Sequence, residues 1–209
     1  MTKKMRTGAE IIIDSIQQHE VEYIFGIPGG NAIPMYDALV DSSIKLVLAR
    51  HEQGATHMAD GYARASGKTG VVLVTSGPGA TNTITGIFTA SMDSVPMVVI
   101  CGQQLTSNLG MDAFQEADIS GISFPVVKHS YLIKNPADIP RIMREAFYLA
   151  NSGRPGPVLI DVPKNVSSAL VEANLNDEFH LPGYKLPREG SSAAIEAAVL
   201  AHAMLPLIG

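Results

Sequence analysis

Strand-like and helix-like stretches alternate about six times along this chain, and no other feature restricts its fold as strongly. The clearest strand is Gly70-Val71-Val72-Leu73-Val74-Thr75. It is almost wholly apolar, as a strand must be when both faces of its sheet are covered. Further strands are expected at 22–26, 44–49, 96–101, 126–133 and 156–161, with helices at 7–19, 31–40, 52–65, 80–90 and 137–152. The pattern predicts an α/β fold, a parallel six-stranded sheet with helices on both faces. In the first helix Ala9, Ile12, Ile13 and Ile16 recur at helical spacing, and Thr7 with Glu10 matches a capping box. Asn31 is a plausible cap, Pro34 is tolerable in a first turn, and Gly67 suits a helix C-terminus. Residues 102–124 show little periodicity.

The main unit is expected to occupy residues 1–166. A polar, proline-containing linker follows at 167–190, and 191–205 resumes a helical, alanine-rich pattern. A lone helix beyond a linker has nothing of its own to pack against. Residues 191–209 therefore read as the start of a truncated second domain, and the chain as the front piece of a longer protein. The alternative is that this helix folds back on the main unit.

With 46% hydrophobic residues among 209, the chain can bury a sizeable core. A net charge of −5 leaves no basic footprint for nucleic acid. Cys101, the single cysteine, cannot form an internal disulfide; it ends an apolar run and reads as a buried structural thiol. No stretch is long enough to span a bilayer and no secretory signal is recognisable, so a cytoplasmic protein without membrane partners is expected.

Chemistry concentrates at three strand-to-helix junctions. Arg50-His51-Glu52-Gln53-Gly54-Ala55 places a carboxylate where a strand gives way to a helix. Gly26-Ile27-Pro28-Gly29-Gly30 and Ser76-Gly77-Pro78-Gly79 are glycine turns in equivalent places. Open α/β sheets place ligands at the carboxyl ends of their strands, so the three suggest one crevice around Glu52. The second turn suits a structural role or close approach to a flat ligand equally well. His51 fits a catalytic base or, more commonly, a hydrogen-bonding residue. Gly67-Lys68-Thr69 is no phosphate loop: Tyr62 stands where a glycine is needed, and the helix precedes the motif instead of following it. Pro28 removes a backbone donor, so the first turn is not a diphosphate nest. Phe114-Gln115-Glu116-Ala117-Asp118 lies in the long irregular segment, where function often resides. No metal-ligand spacing and no Gly-x-Ser-x-Gly elbow occurs.

These motifs, with Gly61-Tyr62-Ala63-Arg64, Thr75-Ser76-Gly77-Pro78-Gly79-Ala80-Thr81-Asn82, Ser152-Gly153-Arg154-Pro155-Gly156-Pro157-Val158 and Asp161-Val162-Pro163-Lys164, carry a resemblance. Over about residues 5–165 the chain resembles the thiamine-diphosphate-dependent decarboxylases and carboligases, most closely the acetolactate synthase (acetohydroxyacid synthase) large-subunit family. The resemblance implies that residues 1–166 are a pyrimidine-binding (Pyr) domain. Glu52 would hydrogen-bond N1′ of the aminopyrimidine and favour the imino tautomer of its 4′-amino group, whose nitrogen can then take the C2 proton of the thiazolium. Ile27, Pro28 and Gly29 would line the pyrimidine from one turn, and Thr75, Pro78 and Asn82 from the other. Ile27 stands where the family would lead one to expect tyrosine. Phe114, Gln115 and Lys164 would border the substrate approach, with Gln115 the polar group nearest the reacting centre.

The family reaction decarboxylates pyruvate and condenses the two-carbon unit with a second 2-ketoacid, early in branched-chain amino-acid biosynthesis. The family holds the diphosphate and Mg²⁺ through a Gly-Asp-Gly motif in another domain, and this chain has no Gly-Asp-Gly. FAD contacts likewise belong mostly to a middle domain. The resemblance implies a homodimer or higher homo-oligomer, a possible regulatory small subunit, and an inactive fragment. Two alternatives stay open: another thiamine-diphosphate carboligase or decarboxylase, and a free-standing, non-catalytic Pyr module acting with a partner chain.

Overall fold

The computed structural model describes residues 5–172, 181–186 and 190–204. A short strand β1 (Met5–Thr7) leads into α1 (Gly8–Gln18), and then β2 (Tyr23–Gly26), α2 (Ile33–Val40), β3 (Lys45–Leu48), α3 (Glu52–Ser66) and β4 (Gly70–Val74) alternate. After these come α4 (Pro78–Thr81), α5 (Ile84–Met92), β5 (Met97–Gln103), α6 (Ile119–Ser123), β6 (His129–Leu132), α7 (Ile139–Asn151) and β7 (Pro157–Pro163). The series closes with α8 (Lys164–Ser168), β8 (Leu170–Glu172) and α9 (Ser192–Met204).

Six strands form one parallel sheet in the order β3-β2-β4-β5-β7-β6, as the alternation predicts. Successive side chains on a strand point to opposite faces, and β4 shows the consequence. Val71 and Leu73 join a core with Ile11, Ile12 and Ile16 of α1, Met35 and Leu39 of α2, and Phe147 of α7. Val72 and Val74 join a second core with Ala55, Ala59 and Ala63 of α3 and Ile87 and Ala90 of α5. Both cores need β4 apolar at every position, and each large aliphatic side chain buried there contributes roughly 1.5–3 kcal/mol. Cys101 is fully buried in the second core, and burial pushes its thiol well above the usual range. Among the described residues, no helix is long and apolar enough to cross a membrane.

The capping box forms: Glu10 N–H donates to Thr7 Oγ1 at 3.1 Å, and Thr7 N–H donates to Glu10 Oε2 at 2.6 Å. Four local readings need correction. The helix expected over 80–90 is two helices, broken where the buried Thr83 hydroxyl donates to Ala80 O at 2.6 Å. A threonine that satisfies a carbonyl this way competes with the helical ladder. Residues 124–126 are a 3₁₀ turn around Pro125, which cannot donate to a ladder, so β6 begins only at His129. The irregular 102–124 segment contains α6 and a 3₁₀ turn at Thr106–Asn108. The expected boundary after residue 166 falls inside α8, and β8 then pairs antiparallel with β1, matching Met5 with Glu172 and Thr7 with Leu170. The main unit thus continues past residue 166, and Leu181 and Tyr184 of the expected linker also pack against the first core. The rest of the expected linker lies partly outside the described residues. So do residues 205–209 of the expected second domain, whose helix is α9.

Candidate functional site

A parallel sheet brings all its carboxyl ends to one edge, and there the three junctions meet. Glu52 is the first residue of α3 and is half-buried. His51 before it is an exposed N-cap, its Nδ1 accepting from Gln53 N–H at 3.1 Å. Its Nδ1 is thereby engaged in a helix cap. An acidic side chain in the first turn of a helix is also favoured by the helix dipole.

Asn82, which follows α4, donates from Nδ2 to Glu52 Oε2 at 2.9 Å. That bond turns the carboxylate toward the second glycine turn. A Cβ at Gly79 would lie 2.7 Å from Thr75 Cγ2 and 3.5 Å from Glu52 Oε1. Glycine there keeps the space between Thr75 and the carboxylate clear. The first turn reaches the same threonine. A Cβ at Gly29 would stand 2.6 Å from Thr75 Cβ, and Asn31 N–H donates to Thr75 Oγ1 at 3.3 Å. Asn31 Nδ2 also donates to Ser76 Oγ at 2.7 Å, so Asn31, expected as a helix cap, instead ties the two turns together. Helix α2 starts at Ile33, with Ala32 in the cap position.

Ile27 is half-buried against the second core, while Pro28 and Pro78 are exposed at the rim. Tyr36 lies behind the turns, its hydroxyl donating to Leu73 O at 2.5 Å. Burial, and secondarily the Glu52 carboxylate, push this phenol far above its ordinary range. It therefore stays a neutral donor.

Gln115 reaches the edge through its backbone, which adopts a left-handed φ of 56°. Gly77, also at φ 56°, lets it approach: a Cβ there would be 2.7 Å from Gln115 O. Only glycine accommodates that contact without strain. Next to it Phe114 is 82% exposed. Glu116 turns back on its own loop and accepts from the N–H groups of Gly110 and Ala113, donors that hold its carboxyl below the usual carboxylate range. Lys164 begins α8 at the end of β7, two strands from β4, and makes no ion pair among the described residues. The structure thus gathers Ile27, Gly29, Glu52, Thr75 and Asn82, sets Gln115 against the second turn, and leaves Phe114 and Lys164 farther along the edge.

Sequence reasoning missed Tyr36, Gln103 and Asp161. Gln103, at the end of β5, and Asp161, within β7, are polar positions in otherwise apolar strands, the one signal that marks them.

Residues 6–122, more than half of the chain, match the family described as thiamine pyrophosphate enzyme, N-terminal TPP binding domain. The acetolactate synthase large subunit of Buchnera aphidicola subsp. Schizaphis graminum is 52% identical over 207 residues, covering 97% of this chain and 36% of its own length. That of Haemophilus influenzae is 53% identical over 182 residues, 87% of this chain and 31% of its own. Acetolactate synthase isozyme 3 large subunit of Escherichia coli is 58% identical over 164 residues, 78% of this chain and 29% of its own. The chain therefore spans only 29–36% of the length of these curated relatives. The match over residues 6–122 shows that the chain belongs to the thiamine pyrophosphate enzymes, within their N-terminal TPP binding domain family.

Proposed function

We propose that this chain supplies the pyrimidine-binding half of a thiamine diphosphate site in an acetolactate synthase. The observation that carries the proposal is the half-buried Glu52 carboxylate, oriented by Asn82 and lying beside Gly79, which puts no side chain between it and Thr75. A flat aminopyrimidine suits that space, and the carboxylate offers the hydrogen-bond and proton-sharing partner its ring nitrogen needs. When bound, the coenzyme supplies the electron sink that decarboxylation of a 2-ketoacid requires.

The residues of this chain bind and orient. Glu52 shares a proton with the pyrimidine ring. Ile27, Pro28 and Gly29 border the ring from the first turn, and Thr75, Pro78 and Asn82 from the second. Phe114, Gln115 and Lys164 border the approach of the 2-ketoacid, with Gln115 as its polar contact. The diphosphate and Mg²⁺ are held by a different domain, and FAD mostly by another. On this reading the active form is a homodimer or higher homo-oligomer in the cytoplasm, open to a regulatory small subunit. Residues 1–172 act as the Pyr domain, with 191–209 opening the next one.

The test is Glu52→Gln in the longer polypeptide that contains this chain, assayed for acetolactate formation from pyruvate. Removing one essential proton-transfer group lowers turnover by about 100-fold or more. Residues 1–209 alone are expected to form no acetolactate. Parent-like activity of the glutamine variant overturns the proposal.

A further inference from the structure

Strands β5 and β7 stay in register to their ends, pairing Cys101 with Asp161 and Gln103 with Pro163. Asp161 and Gln103 are only 3% and 2% exposed, and both point to the second core, on the face covered by α6. Gln103 Nε2 donates to Asp161 Oδ2 and to Ala117 O, each at 2.9 Å, and its Oε1 accepts from Gln104 N–H at 2.9 Å. The hydrogen-bonding groups of the Gln103 amide are thereby all engaged. Gln104 Nε2 in turn donates to Phe114 O at 2.5 Å.

Two consecutive side chains from the end of β5 therefore grip the carbonyls at both ends of the segment 114–117. Between them Gln115 holds its left-handed φ of 56° against Gly77, and Glu116 is tied back by Gly110 and Ala113. The start of the loop is clasped as well. Thr106 N–H donates to Asn165 Oδ1 and Asn165 Nδ2 donates to Thr106 Oγ1, both at 2.9 Å. With its backbone fixed in this way, the point from which the Gln115 side chain extends is set.

Asp161 is the costly part of the arrangement. Among the described residues its buried Oδ1 has no hydrogen-bond partner. A buried oxygen left unpaired costs free energy that an apolar residue of similar size avoids. Burial pushes the carboxyl up to about 7, against the lowering effect of Gln103 and with a further push from Asp118. Stability alone does not account for a carboxyl here.

We infer that Asp161 is a positioning residue for the reaction proposed above: through Gln103 it fixes the 114–117 segment and so sets Gln115 against the incoming 2-ketoacid. Asp161 itself touches neither substrate nor coenzyme. The inference rests on the proposed function and on the role given there to Gln115.

The experiment uses the full-length protein and measures kcat and KM for pyruvate, with the dissociation constant of thiamine diphosphate measured alongside. Asp161→Leu and Gln103→Leu each lower kcat/KM by about tenfold while coenzyme affinity stays within about twofold of the parent. Asp161→Asn, which keeps an acceptor oxygen for Gln103, stays within about threefold of the parent. In a Gln115→Ala background the leucine variants cause no further loss, because the residue they position is gone. Should Asp161→Leu fail to fold, Gln103→Leu carries the same comparison. Multiplicative losses in the double variants, a parallel loss of coenzyme affinity, or a silent Gln115→Ala each overturn the inference. Failure of the proposed function shows separately, as an active Glu52→Gln enzyme.

Discussion

Asn82 Nδ2 stands 2.9 Å from Glu52 Oε2, and this one hydrogen bond joins the start of α3 to the turn after β4 across 30 positions of sequence. It fixes one oxygen of the carboxylate, while the other, Oε1, lies beside Gly79. Asn82→Ala removes that constraint without disturbing a packed core. In the full-length protein, affinity for thiamine diphosphate should fall by about tenfold, the scale of a hydrogen bond to a charged group. Isothermal titration checks this, and unchanged affinity would show that the asparagine does not orient the carboxylate.

Gly79→Ala introduces a methyl group 2.7 Å from Thr75 Cγ2 and 3.5 Å from Glu52 Oε1. Thr75 is held between the two turns and has little room to give. The expected cost is about 1–3 kcal/mol of stability, as for other overpacked positions. Coenzyme binding should weaken further, because the methyl group occupies the space the ring needs. Urea denaturation and coenzyme titration separate the two effects. A variant with parent-like values in both would mean that this space is not the binding space.

The buried Asp161 carboxyl makes a pH-dependent contribution whose sign is the reverse of an ion-paired carboxylate. Its folded value of about 7 lies above the ordinary 3.8, so between those limits the folded state holds a proton that the unfolded chain has released. Stability from this group is therefore fullest at low pH and declines as pH rises through that window. Relative to Asp161→Asn, the parent should lose roughly 1.4 kcal/mol per pH unit across it and then level off. Chemical denaturation of both proteins at several pH values measures the difference. A difference independent of pH would place the carboxyl in an ordinary, hydrated setting.

The sheet and its helices were readable because their signals are local. Val71 to Val74 could be assigned to a doubly covered strand without knowing what covers them, and Thr7 and Glu10 cap a helix three residues apart. Glu52 and the two glycine turns were readable for a related reason, since a strand-to-helix junction reveals the sheet edge on which it lies. The break at Thr83 was not, because a side chain satisfying Ala80 O competes with a ladder that periodicity alone takes for granted. Three-residue strands such as β1 and β8 carry no period, and their pairing joins residues at opposite ends of the domain.

The same division runs through the site. Residue order alone brought a carboxylate and two glycine turns to the carboxyl edge, and the family resemblance added a loop bearing Gln115. Which atoms face one another there depended on the packing of distant segments. Asn82 on Glu52, Thr75 between both turns, Gln115 against Gly77 and Asp161 behind Gln103 are all long-range contacts. Their partners are chosen by the order and register of parallel strands, a property of the assembled sheet that no single segment encodes.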